Sequence, residues 1–153
     1  MEETDQDIAS AFAVGLIIGV NKPGEVIAWA DSVVGDREYP PVWVIPIALA
    51  QENDRLDLLK LLHVAPMAES ETMRWCLVCE AILRAKKCNA CSLRTVSSAL
   101  THCRVLESEE AELAAIEARY EASDRGEADW ESVNDLFLEH IQRVVTSTRL
   151  GED

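Results

Sequence analysis

"IASAFAVGLIIGV", residues 8–20, decides how the rest of the chain is read. The run is well short of the roughly 20 apolar residues that cross a bilayer. Its leading flank, "MEETDQD", is acidic, whereas a secretory signal needs a positive one. The stretch therefore reads as a helix capped by Asp5 or Asp7 and running to Val20. It is apolar on nearly every side, which places it in the middle of a fold and not on its surface. Ala11, Gly15 and Gly19 recur every four residues, a spacing that lets a second helix come close. With no targeting segment expected, the protein is assigned to a reducing cytoplasm, where five cysteines are free thiols or metal ligands.

Working outward, Pro23 suits the first position of a second helix, which carries Val26, Trp29, Ala30 and Val33 on one face and closes at Gly35. "DREYPP" is a loop. "VWVIPIALA", residues 42–50, is rich in β-branched side chains, but no comparable run exists to pair with it, and Pro46 breaks a ladder or kinks a helix. It is read as a short, distorted, largely buried helix. Asn53 or Asp54 caps the next helix, with Leu56, Leu59 and Leu62 inward. Further helices are expected from about Glu71 to Lys87, from Ser92 to about Leu106 (Val96, Leu100 and Cys103 inward), and from Ser108 with Leu113, Ile116 and Tyr120 as a stripe. After a turn at Gly126, a last helix starts near Asp129 with Trp130, Val133, Phe137, Ile141 and Val144 inward. The expected fold is all-α: a single compact bundle of seven or eight short helices around the buried N-terminal one. The domain spans residues 5–147, and residues 148–153 form a frayed tail.

The Trp29-Ala30-Asp31 helix, the "PPVW" of residues 40–43 and the glycine turn before the last helix resemble a group of small, uncharacterised, all-helical bacterial proteins. The resemblance extends loosely over most of the chain, although Pro46 and the cysteines depart from it. It implies an all-α fold and a bacterial source, and brings no activity with it.

Cys76, Cys79, Cys88 and Cys91 form two C-x-x-C pairs in "WCLVCEAILRAKKCNAC", residues 75–91. A zinc ion would need all four sulfurs about 2.3 Å away. The segment between the pairs consists of helix formers and is shorter than the usual spacing of such sites. On one continuous helix, Cys79 and Cys88 stand roughly 13 Å apart along the axis. Core packing is the stronger reading, with a small zinc-binding regulatory domain as the alternative. His63, His102 and His140 form no local motif, and none follows a glutamate by three residues. The H-E-x-x-H, G-x-S-x-G and phosphate-loop patterns are absent. No catalytic residue, cofactor or metal is therefore expected from motifs, although a site assembled from distant residues stays open.

Acidic residues number 28 against 14 basic ones, a formal net charge of −14. Such a charge repels nucleic acid and anionic membrane surfaces and attracts a basic partner. A basic belt (Arg84, Lys86, Lys87, Arg94, Arg104) precedes an acidic stretch that includes Glu109, Glu110, Glu112, Glu117 and Glu121. The two read either as solvated faces that partly neutralise each other, or as a recognition surface for a protein or for a second copy of the chain. The functional expectation is a non-enzymatic protein-interaction module, of inhibitor or immunity type, that binds a basic protein through those five glutamates.

Overall fold

The computed structural model describes residues 2–151. Helix α1 (Asp5–Ile18) begins at Thr4, not at an aspartate. The Thr4 hydroxyl accepts from the Asp7 amide, and the Asp7 carboxylate accepts from the Thr4 amide, a reciprocal cap. Asp7, itself buried, also accepts from the Ser70 amide at 2.8 Å, which ties the start of α1 to the start of α5 (Glu71–Lys87). At its other end α1 stops at Gly19, whose φ of 80° suits a residue without Cβ. The amides of Val20 and Asn21 both turn back to the Gly15 carbonyl.

The apolar character of α1 all round has a direct structural cause. One side, Ala11, Val14 and Ile18, joins a core with α5, α6 (Leu93–Leu100), α7 (Glu107–Asp124) and α8 (Trp130–Leu150). The other, Ala9, Ala13 and Leu16, joins a second core with α2 (Pro23–Asp36), α3 (Ile45–Ala48) and α4 (Arg55–Val64). The protein is all-helical and compact, with eight α-helices and no strand among the described residues.

Several expectations need correction. Helix α2 runs past Gly35 to Asp36. The 42–50 segment is a 3₁₀ turn, Val42–Val44, leading into α3, and only Val44 and Ile47 are buried; Val42 and Leu49 point outward. Asp54 caps α4, but its buried side is Leu58 and Leu62, with Leu56 exposed. A leucine-rich helix offers more than one apolar register, and the position of α1 selects this one. Helix α6 stops at Leu100, because His102 and Cys103 donate to carbonyls three residues back and the chain then turns toward α7. Ser108 caps nothing; α7 follows Leu106. Trp130, in the exposed first turn of α8, is only partly covered, against Tyr120. Residues 148–150 are helical and not frayed: Thr148 is buried, and Arg149 pairs with Glu80 and Glu3. Helix α5 matches its expected bounds, ending before Asn89, which takes a positive φ of 53°.

Gly15 offers a sharp test of the α1 packing. A Cβ built there would stand 1.8 Å from Oδ1 of buried Asn21, whose amide nitrogen is held by Glu25 at 2.8 Å. Gly15→Ala gains about 1 kcal/mol of helix propensity, but overpacking costs about 1–3 kcal/mol. We expect a net loss of stability in urea denaturation followed by circular dichroism, partly recovered by adding Asn21→Ala. A variant as stable as the parent would show that Asn21 can leave its place without cost.

Candidate functional site

The four paired cysteines are not brought together. Cys76 and Cys79 are buried on α5, Cys88 is exposed at its C-cap, and Cys91 lies beyond. Helix α5 is continuous through Lys87, so the two pairs sit at different heights. Among the described residues, no three cysteines bring their sulfurs within reach of one ion. Burial, reinforced by Cys76, Glu109 and Glu80, pushes the Cys79 thiol well up. Burial likewise raises Cys76, Cys91 and Cys103. None of these four is tuned toward the thiolate that redox chemistry requires.

The five glutamates of α7 divide into two groups. Glu117 is drawn inward: Arg94 of α6 donates to it at 2.6 Å, and the Ser97 hydroxyl donates to its second oxygen, also at 2.6 Å. Arg94 also reaches Asp124 at 3.0 Å and lies over the ring of Tyr120. Glu109 and Glu112 face His140 on α8, with Glu109 Oε2 2.9 Å from Nε2 and Glu112 Oε1 3.1 Å from Nδ1. Glu110 and Glu121 remain exposed and make no ion pair among the described residues. Three of the five expected contact residues are thus engaged inside the chain.

His63 and His102 are not part of this cluster. They share a groove of about 310 Å³ with Arg74, Arg104 and apolar side chains of α1 and α4. Arg74 is already committed to Glu71 and to the Arg104 carbonyl. A cleft of about 260 Å³ lies between α6 and α7, lined by Ser97, Leu100, Leu113 and Glu110 among others. Cys103 lines both, and its thiol donates to the Ala99 carbonyl at 3.5 Å.

A group of exposed apolar side chains lies elsewhere. Tyr39, Val42 and Leu49 are 85%, 81% and 79% exposed, with Ile45 between them at 38%. The opposite side of the same short element buries Val44 and Ile47 in the second core, and Trp43 packs 6.4 Å from Trp29. The stripe is therefore held on a fixed support. The sequence offered a signal for it, since Val42, Ile45 and Leu49 follow helical spacing, but the same spacing also describes a buried face.

No helix of the described residues is long and apolar enough to cross a membrane. Comparison with family models, with curated proteins and with solved structures finds no match. The likeness carried by Trp29-Ala30-Asp31 and Pro40–Trp43 accordingly assigns no family, and the reading of function rests on the residues themselves.

The cysteine environments make a measurable forecast. At pH 7.5 a disulfide reagent should modify exposed Cys88 first and the half-buried Cys91 and Cys103 more slowly. Cys76 and Cys79 should react only when denaturant opens the core. Mass mapping of labelled peptides over time checks the order; early labelling of Cys79 would contradict its burial.

Proposed function

We propose that this protein is a non-enzymatic protein-interaction module whose partner is basic and carries an apolar anchor. The observation behind this reading is the exposed stripe Tyr39, Val42, Ile45 and Leu49. Clustered exposed apolar side chains are a feature of interaction sites, and aromatic and aliphatic anchors on a rigid support lose little entropy on binding. The chain on either side carries Asp36, Glu38, Glu52 and Asp54, all exposed. Apolar residues within an acidic setting favour a partner with the opposite rim charge and disfavour nucleic acid. The net charge of −14 adds long-range attraction for such a partner.

On this reading the contact surface is the 39–49 segment, joined by Glu110 and Glu121 on α7, which carry no ion pair among the described residues. An inhibitor or immunity-type role, in which the module covers a basic partner, is the form of this reading that the acidic excess favours. A second copy of the chain is the competing occupant of the stripe.

Val42→Asp together with Leu49→Asp tests the proposal. Both side chains are exposed, so melting should stay within about 0.5 kcal/mol of the parent. A partner retained by the parent in affinity capture from the source cell should bind the double variant at least about tenfold more weakly, a loss of about 1.4 kcal/mol. Equal retention by both proteins would remove the stripe from the interface. Sedimentation velocity showing a parent dimer that the double variant abolishes would assign the stripe to self-association instead.

A further inference from the structure

His140 is 2% exposed on α8, and both of its ring nitrogens are enclosed without a hydrogen-bond partner. Yet Glu109 Oε2 stands 2.9 Å from Nε2, and Glu112 Oε1 stands 3.1 Å from Nδ1. The two facts fit together only if the carboxylate oxygens lie off the directions in which ring N–H bonds would point. A hydrogen-bonded oxygen sits on that axis. An oxygen that shares a metal ion with the imidazole does not: the ion takes the axis of the one ring nitrogen it binds, the oxygen beside that nitrogen sits off the axis, and the second glutamate turns its carboxylate to reach the ion. With metal–nitrogen and metal–oxygen bonds of about 2.1 Å, two ligands at the tetrahedral angle are about 3.4 Å apart, so a contact of 2.9 or 3.1 Å opens slightly as the ion enters.

We propose that Glu109, Glu112 and His140 form a binding site for a divalent transition-metal ion of the zinc class. One donor atom from each residue lies within 4.8 Å of the other two. Glu109 and Glu112 are one helical turn apart on α7, and α8 brings His140 against them. A single imidazole with two carboxylates suits a borderline ion better than magnesium or calcium, which prefer all-oxygen sets. Three protein ligands leave a position for water, and Glu112, whose side chain is 46% exposed, gives the cluster an open side. Arg143 lies 3.4 Å from Glu112 and must leave as the ion enters; its side chain is 63% exposed and has no other ion pair among the described residues. Cys79 is near enough to feel the Glu109 charge, but its sulfur is not within the cluster. This site is independent of the stripe on residues 39–49.

A proton is the other cation that these groups can share, as an imidazolium between two carboxylates. That arrangement would place each N–H in line with its oxygen, which neither ring nitrogen shows; zinc binding separates the two occupants. The site escaped motif reading because its ligands come from two helices. The one trace in the sequence is a histidine placed among the apolar positions Val133, Phe137, Ile141 and Val144.

The test uses the full chain in metal-free buffer, titrated with zinc by calorimetry and with cobalt by absorption. We expect one ion per chain, saturating below about 0.1 mM (roughly −5.5 kcal/mol). Cobalt should show weak ligand-field bands without thiolate charge transfer. Glu109→Gln should weaken binding by about tenfold or more, while Cys88→Ser with Cys91→Ser should leave it unchanged. Should Glu109→Gln fail to fold, Glu112→Gln changes an exposed side chain and carries the same expectation. A thiolate band, loss of binding in the cysteine variant, or affinity unaltered by either glutamine substitution would overturn the proposal. So would His140 ring resonances that do not respond to zinc.

Discussion

Two cores share one helix, and most of the structure follows from that. Helix α1 gives Ala11, Val14 and Ile18 to one core and Ala9, Ala13 and Leu16 to the other, so it has almost no side free for polar groups. A helix in that position must have its polar backbone ends satisfied by its neighbours. Thr4 and Asp7 close the N-terminus, and Asp7 also holds the Ser70 amide at the start of α5. At the C-terminus the Leu16 carbonyl accepts from the Arg55 guanidinium on α4. The same helix thus joins the cores by packing and joins α4 and α5 by hydrogen bonds. Its small side chains are what allow neighbours on both sides, and Gly15 is where the approach is closest, with Asn21 folded over it.

A chain with twice as many acids as bases has to use its cations sparingly. Arginines here act as clamps between elements: Arg37 on Asp5, Arg94 on Glu117 and Asp124, and Arg149 on Glu80 and Glu3. Exposed pairs of this kind contribute little each. Their value lies in joining segments distant in sequence, as Arg149 does for the last turn of α8. The half-buried Arg94–Glu117 pair, with the Ser97 hydroxyl on the other oxygen, is the one whose loss would leave a charge poorly solvated. Glu110, Glu121 and the carboxylates flanking residues 39–49 keep the excess negative charge at the surface. It is there that a basic partner would meet it.

The all-α class, the central place of residues 8–20 and the bounds of α5 were all legible in the sequence. Each depends on local physics: an unbroken apolar run, the Ser70 and Asp129 caps, helix formers between Cys79 and Cys88, and the glycine turn at Gly126. The Leu113, Ile116 and Tyr120 stripe of α7 was legible for the same reason, since only one apolar register was available there. The helix formers between Cys79 and Cys88 likewise pointed to the separation of the two cysteine pairs, one on α5 and the other at and beyond its end.

What lay beyond the sequence depended on which element packs where. The leucines of α4 fit two registers, and contact with α1 chose Leu58 and Leu62 over Leu56. Val42, Ile45 and Leu49 have the spacing of a buried face, but Val44 and Ile47 seal the core, so the first three point outward. The glutamates of α7 look alike in the chain; α6 draws in Glu117, and α8 draws in Glu109 and Glu112. His140 becomes part of a polar cluster only because α8 lies against α7. Local sequence determines whether a segment is helical and which of its faces can be buried. The tertiary structure decides which face is buried and which charges meet, because those outcomes depend on neighbours from distant parts of the chain.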